Sequence, residues 1–367
     1  MKNMKTNITK SLLLPAVLAC FAACSPATAA HYYTVTGTAD NTDSVVHGGT
    51  GTQPSPYQMS SLRGAIIAAN ADSGSTITLP TNTYKLTLTP SDSLPGAIVP
   101  ASGDLDITAA TTIMAQGSTI DANNIDRAFS IQNAALTSFA VTIDSGIIKN
   151  GKVQGLLAHG GGISVRAATL TLTNCTITAN QVIAFAPFPQ GNGGGIAANS
   201  AGFNPKKLAT LNLTNCTVTN NTAGNGGGIS CAGANLTITG CTVSGNTAQN
   251  VAGGGGIMRV DDGSTASITN SNIFNNTAVT ATGTGSAAFI FGAGSVTATG
   301  NRIVFNSTPA NASGRFLSNY EATVSAVNNW WALNTAPSGL IAAGTPAVSF
   351  APWLQLNLTA VPSVISP

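Results

Sequence analysis

Between residues 170 and 306 the chain is written in short bursts that alternate apolar with hydroxyl or amide residues, each closed by an asparagine or glycine. The bursts are LTLTNCTITAN (170–180), LNLTNCTVTNN (211–221), LTITGCTVSGN (236–246), ASITNSNIFNN (266–276) and VTATGNRIVFN (296–306). A period of two puts Leu, Ile and Val on one face of a strand and Thr, Ser and Asn on the other. Glycine runs ending at Ile163, Ile196, Ile229 and Ile257 accompany the bursts. A self-similar unit of ~30 residues cannot bury a core alone, so the pattern predicts units stacked one on the next.

Upstream, the same alternation predicts strands over 32–36, 76–79, 84–89, 104–108, 111–114, 118–120, 128–131 and 141–143. One helix is predicted over 61–70, with Ser60 or Ser61 as its cap and Leu62, Ala65, Ile66 and Ala69 on one face. A helix ahead of a β-stack can cover its open first edge. At the far end, Asn328-Asn329-Trp330-Trp331 and Ala351-Pro352-Trp353 are aromatic where the repeats are not, and are expected to cover the last coil. The fold expected is all-β: a single-stranded right-handed parallel β-helix, or solenoid, with a short N-terminal helical cap. The division expected is an export signal over 1–29, a cap over 30–102, the β-helix over 103–327 and a Trp-rich closure over 328–367. About eight coils at ~4.8 Å spacing would make a rod on the order of 40 Å long.

Composition sharpens this picture. In 367 residues only 7% are charged while 43% are hydrophobic, too apolar for a disordered chain. The net charge of +2 and the absence of any basic cluster beyond Lys206-Lys207 leave no nucleic-acid footprint. Lys2 and Lys5 precede a short apolar stretch over 12–23, which reads as an export signal. Two processing routes fit it. Ala27-Thr28-Ala29 suits ordinary cleavage before Ala30, and Phe21-Ala22-Ala23-Cys24 resembles a bacterial lipobox that would lipidate Cys24. Cys175, Cys216 and Cys241 share one repeat position, with Ser271 and Asn301 in the later copies, at steps of 41, 25, 30 and 30 residues. Such a column reads as small interior filler with reduced thiols, neither a disulfide framework nor a metal site. The uneven steps predict loops at 185–190 and 203–207.

Ser60-Ser61-Leu62-Arg63-Gly64-Ala65-Ile66, followed by Ala68-Ala69-Asn70, resembles the CSLREA motif domain of bacterial surface proteins. Ser60 stands where that family has Cys and Gly64 where it has Glu. Gly103-Asp104-Leu105-Asp106-Ile107, STIDANNIDRAF (118–129) and the Asn-Trp-Trp and Pro-Trp-Leu endings are similar to the stretches that follow the motif. The resemblance implies a right-handed β-helix of the pectin-lyase-like fold on an exported surface protein. More weakly, Gly-Gly-Gly-Ile and Phe274-Asn275-Asn276 resemble the repeats of chlamydial polymorphic outer-membrane proteins. Neither resemblance brings a catalytic residue.

The candidates for carbohydrate chemistry are Asp261 and Asp262 beside Arg259, because β-helical hydrolases use clustered carboxylates as acid and base. The Asp-Asp-Gly-Ser sequence reads more simply as a turn. His159-Gly160-Gly161 is a fragment of a polygalacturonase-like Gly-His-Gly. Asp104, Asp106, Asp121 and Asp126 with Arg127 form the densest acidic stretch, where a calcium site needs six to eight oxygens; they read as solvent-facing edge charges around a structural Asp126–Arg127 neighbourhood. The expectation is therefore an exported, non-catalytic, monomeric protein, secreted or at a bacterial cell surface. It would use no cofactor or metal, bind carbohydrate or a host or cell-surface ligand, and touch membrane only through an N-terminal lipid. The alternative is a polysaccharide lyase or glycoside hydrolase of the pectin-lyase-like fold.

Overall fold

The computed structural model describes residues 30–91, 98–155, 158–183, 191–201, 206–249, 258–261, 263–279, 289–291, 294–304, 306, 317–319, 322–332, 335–340 and 348–355. The signal segment with Cys24, the loop 185–190, residues 203–205 and Asp262 lie outside the described residues.

Four sheets, of eleven, eight, five and eight strands among the described residues, build a parallel β-helix. One turn of the coil shows the path. Thr169–Thr173 belongs to the eleven-stranded sheet, Thr176–Thr178 to the first eight-stranded sheet and Gln181–Ile183 to the five-stranded sheet. Ile196–Asn199 follows in the second eight-stranded sheet, and Ala209–Thr214 opens the next turn. Register is set by the apolar alternation: Leu170 pairs with Leu211, Leu211 with Leu236, Leu236 with Ala266 and Ala266 with Val296, all buried. A slip of one residue would turn every one of these side chains to solvent. Eleven strands at ~4.8 Å spacing make the stack about 48 Å long.

The glycine runs lie where the five-stranded sheet bends into the second eight-stranded one. A Cβ on Gly194 would stand 2.3 Å from the Gly227 carbonyl oxygen and 2.5 Å from that of Thr222. Only glycine lets the coils approach this closely there. The row that follows is Ile163, Ile196, Ile229 and then Met258, so the fourth copy is registered on Met258 and not on Ile257 as its spacing implied. The five-stranded sheet was missed in the sequence. Its strands shrink to Thr222–Ala223, Thr247–Ala248 and Thr277–Ala278, too short for an alternation to be visible.

At the corner after each long strand a residue takes the left-handed conformation: Asn174, Asn215, Gly240, Asn270 and Gly300, with φ between 51° and 68°. Asn tolerates this region through its short polar side chain and Gly through having none. The corner breaks the ladder, and the next N–H needs another acceptor. The following coil supplies it: Cys216 N–H donates to Cys241 Sγ (3.3 Å), Cys241 N–H to Ser271 Oγ (3.1 Å), Ser271 N–H to Asn301 Oδ1 (2.9 Å) and Asn301 N–H to Asn329 Oδ1 (2.9 Å). The second corner repeats the device with asparagine alone. The N–H groups of Asn180, Asn221, Asn246 and Asn276 each donate 3.0 Å to the side-chain oxygen of the next member, ending on Asn306. Their amide nitrogens donate back to main-chain carbonyls of Ile148, Ile177, Val218 and Val243.

Both ends of the stack are covered. The helix Leu62–Ala71 starts on Ser61, whose Oγ accepts from Gly64 N–H at 2.9 Å. It buries Leu62, Ala65, Ile66 and Ala69 against the first coils. Asn70 then stands in for a missing strand, donating to Asp106 O and accepting from Thr108 N–H along the edge strand Leu105–Ile107. The strands Tyr32–Val35 and Ser75–Thr78 already belong to the eleven-stranded sheet, so the stack begins inside the segment expected to be a separate cap. A Cβ on Gly64 would collide with the Asp43 carbonyl oxygen, which explains why no larger residue stands there. At the other end Trp331 and Asn329 are fully buried, and Leu354 N–H donates to Asn329 O. No helix among the described residues is long and apolar enough to cross a membrane.

Asn246→Ala should expose how much the asparagine column carries. It leaves the buried Asn221 N–H and the Val218 carbonyl without their partners, at a cost of about 2–4 kcal/mol. Asn220→Gly, at the exposed left-handed corner beside it, should change stability by less than about 1 kcal/mol. Urea midpoints of the two variants would compare these costs.

Candidate functional site

The structure scatters the residues that the sequence singled out. Asp261 ends the strand Met258–Asp261, opposite Ala232, and the chain turns at Gly263 (φ 74°) into Ser264–Thr269. This corner joins the second eight-stranded sheet to the eleven-stranded one. Cys175, Cys216, Cys241 and Ser271 lie in a buried column at a different corner, between the eleven-stranded and first eight-stranded sheets. The four cysteines among the described residues, Cys231 included, are free and buried. His159 stands in a third corner, bridged to Asn192 and through it to Asn225. Among the described residues no three His, Cys, Asp or Glu side chains form a group disposed to hold a metal ion. Of the stretch expected to form a loop over 203–207, Lys206 and Lys207 are described, and Lys207 exchanges both main-chain hydrogen bonds with Ala201.

The acidic stretch is where the sequence expectation needs correcting. Asp104, Asp106 and Arg127 are buried, not edge charges, and the ion pair runs from Arg127 Nη1 to Asp104 Oδ2 at 2.9 Å. Asp106 follows Asp104 by two residues and therefore shares its face of the strand, while Leu105 and Ile107 fill the core. Asp106 Oδ2 accepts from Val99 N–H at 2.6 Å, and its Oδ1 is buried with no partner among the described residues. The Arg127 guanidinium thus acts on two buried carboxylates, Asp104 and Asp106, while its main-chain N–H donates to Asp126 Oδ1. Burial pushes Asp106 up to about 6, with the Val99 and Ser130 hydrogen bonds and Arg127 pulling the other way and Asp126 adding to the rise. Burial likewise raises Asp104.

A second buried pair fastens the helix beside this group. Arg63 Nε meets Asp40 Oδ1 at 2.7 Å, and the rest of its guanidinium donates to the carbonyls of Pro100, Gly103 and Asp104. Burial alone would raise Asp40. The Arg63 hydrogen bond and the amides of Leu88 and Thr87 outweigh it and hold the carboxyl below its ordinary value. The Arg63 donors are turned to Asp40 and to main chain and Arg127 Nη1 to Asp104, while Arg127 Nε is buried with no partner among the described residues. Together the two pairs clamp helix, loop and first coil.

The outward faces are a different kind of surface. On the eleven-stranded sheet the strands Thr169–Thr173, Ala209–Thr214, Ala234–Thr239, Ser264–Thr269, Gly294–Thr299 and Thr323–Ser325 carry no charged residue. Register aligns their outward side chains into rows across the coils: Thr169, Thr210, Asn235, Thr265, Ser295 and Thr323 in one, and Thr173, Thr214, Thr239, Thr269 and Thr299 in another. Neighbours within the rows bond to one another, Thr239 to Thr269 at 3.2 Å and Thr265 to Asn235 at 2.8 Å. The alternation in the sequence carried the signal for these rows, but only the register shows that they line up.

Fold and surfaces together define a parallel β-helix with a charge-clamped cap and hydroxyl-lined flanks. Compared with known proteins, the chain matches no family model, no curated protein and no solved structure.

The cap clamp makes stability depend on pH in an unusual sense. A carboxyl raised in the fold holds its proton more tightly there than in the unfolded chain. Its stabilisation is complete below the ordinary value of 3.8 and is lost as pH rises through about 6. Lowering the pH from 7.5 to 5 should therefore raise stability through Asp106 by about 1–1.5 kcal/mol. Asp106→Asn should remove that dependence and be more stable than the parent at pH 7.5. Melting curves at the two pH values would check both.

Proposed function

We propose that this is an exported, non-catalytic cell-surface β-helix that binds carbohydrate or another hydroxyl-rich surface along its flank. The observation that carries the reading is the set of aligned Thr, Ser and Asn rows on the eleven-stranded sheet. Hydroxyls and amides at a fixed spacing of ~4.8 Å along the rod give a polymer repeated donors and acceptors, and an uncharged face imposes no ionic desolvation cost. The resemblance of the 60–70 segment to the CSLREA motif of bacterial surface proteins, and the export signal over 1–29, support placement outside the cytoplasm. The lyase or hydrolase alternative rests on fold analogy, which is weak ground for an activity.

Incubating the mature protein with a panel of soluble and insoluble polysaccharides tests this directly. The expected result is retention of the protein on at least one polymer, without release of unsaturated or reducing-end products. Thr237→Glu combined with Thr297→Glu, both exposed on the face, should weaken retention while moving stability by less than about 0.5 kcal/mol per site. Turnover abolished by Asp261→Ala would overturn the non-catalytic reading.

A further inference from the structure

The outward face of the first eight-stranded sheet changes character along the rod. Its outward positions are Thr176, Thr217, Thr242, Asn272 and Arg302 in one row, and Thr178, Thr219, Ser244 and Phe274 in the next. From Thr176 onward the strands of this face hold no Asp or Glu. The Asp121 carboxylate nearer the cap is already engaged, lying 3.7 Å from Lys149 Nζ and accepting from Asn150 at 3.0 Å. Among the described residues, Arg302 is the one cation on the strands of this face from Thr176 onward.

Its setting is specific. The guanidinium carbon lies 5.5 Å from the centre of the Phe274 ring and 5.6 Å from that of Trp330, one ring from the preceding coil and one from the following. Backbone pairing holds all three in register, with Asn272 opposite Arg302 and Arg302 bridged to Trp330. Each such contact contributes on the order of 0.5–1 kcal/mol and fixes the orientation of the group. Among the described residues the guanidinium makes no ion pair and no hydrogen bond. Two rings hold the cation, and its five N–H donors have no protein acceptor there.

We infer that this clamp is a subsite for the carboxylate of an acidic polysaccharide, whose sugar hydroxyls run back over the Thr242, Ser244, Thr217 and Thr219 rows. The inference rests on the carbohydrate-binding reading and names the class of glycan. A planar fork matches a carboxylate bidentately, which an ammonium does not. The pre-held orientation lowers the ordering cost of binding. From Thr176 onward the strands of this face hold no acidic residue to repel a polyanion.

Affinity electrophoresis of the full mature chain in gels containing alginate, or neutral galactomannan at equal mass, tests the subsite. Wild type should be retarded more strongly by alginate, and the excess should shrink as salt is raised. Arg302→Gln should weaken alginate binding about tenfold and leave galactomannan binding unchanged. Arg302→Lys keeps the charge and the aliphatic stem, and should recover only a minor part of the loss. Melting temperatures verify that each variant is folded. A folded Arg302→Gln protein that binds alginate as tightly as wild type overturns the subsite. So does a wild type that binds galactomannan but not alginate, although the broader reading then stands. A wild type retarded by no polysaccharide at all overturns both.

Discussion

Everything in this molecule depends on what happens to one N–H group at each corner. A β-helix must turn several times per coil, and a left-handed residue makes each tight turn at the price of a ladder hydrogen bond. Left alone, the next amide would be a buried donor without an acceptor, worth about 1–3 kcal/mol against folding at every coil. The chain answers with a side chain from the following coil, which accepts that N–H and donates back to a carbonyl. The corner residue and its neighbour thus form one device. Position one must tolerate positive φ; position two must be small, polar and buried.

That rule explains why the column can read Cys, Cys, Cys, Ser, Asn and Asn without the fold changing. Sulfur, hydroxyl and amide all accept an N–H, and each can return a donor: Cys216 Sγ lies 3.3 Å from Leu172 O, and Asn301 Nδ2 lies 2.8 Å from Ile268 O. The three thiols take the place that Ser271 and Asn301 take elsewhere, which is a structural role. The same logic separates the two kinds of polarity in the chain. Inside, polar groups are spent on the backbone at corners and in the cap clamp. Outside, the Thr and Asn rows are left to solvent or to a partner.

The stack itself was legible in the sequence because its two signals are local: alternation of apolar and hydroxyl residues, and Asn or Gly at the turns. Strand bounds over 111–114 and the helix near 62–71 follow from that information alone. The five-stranded sheet was not legible, since two-residue strands such as Thr222–Ala223 hold no periodicity. The Met258 register was hidden as well, because counting glycines places the strand one residue early. The buried state of Asp104, Asp106 and Arg127 was the largest departure. Charges so close together in sequence look like a solvated edge, and only the packing of the helix over the first coil removes them from water. Arg302 was overlooked for the opposite reason: its partners, Phe274 and Trp330, lie 28 residues away on either side and meet it only through coil register.

Burying a clamp of charges at the cap also follows from the architecture. The first coil has an open edge, and an uncharged, flat, hydroxyl-lined sheet is the kind of surface that pairs with copies of itself. A purely apolar cover over that edge could slide, because Ala and Ile packing specifies position weakly. Arg63 and Asn70 do not allow sliding. Arg63 reads the carbonyls of Gly103 and Asp104, and Asn70 reads the Asp106 carbonyl and the Thr108 N–H on either side of Ile107, so the helix fits in one position only. A buried ion pair adds little net stability against a well-packed apolar substitute, and its best-attested use is to fix register. Here that use is placed where the stack has no previous coil to align it.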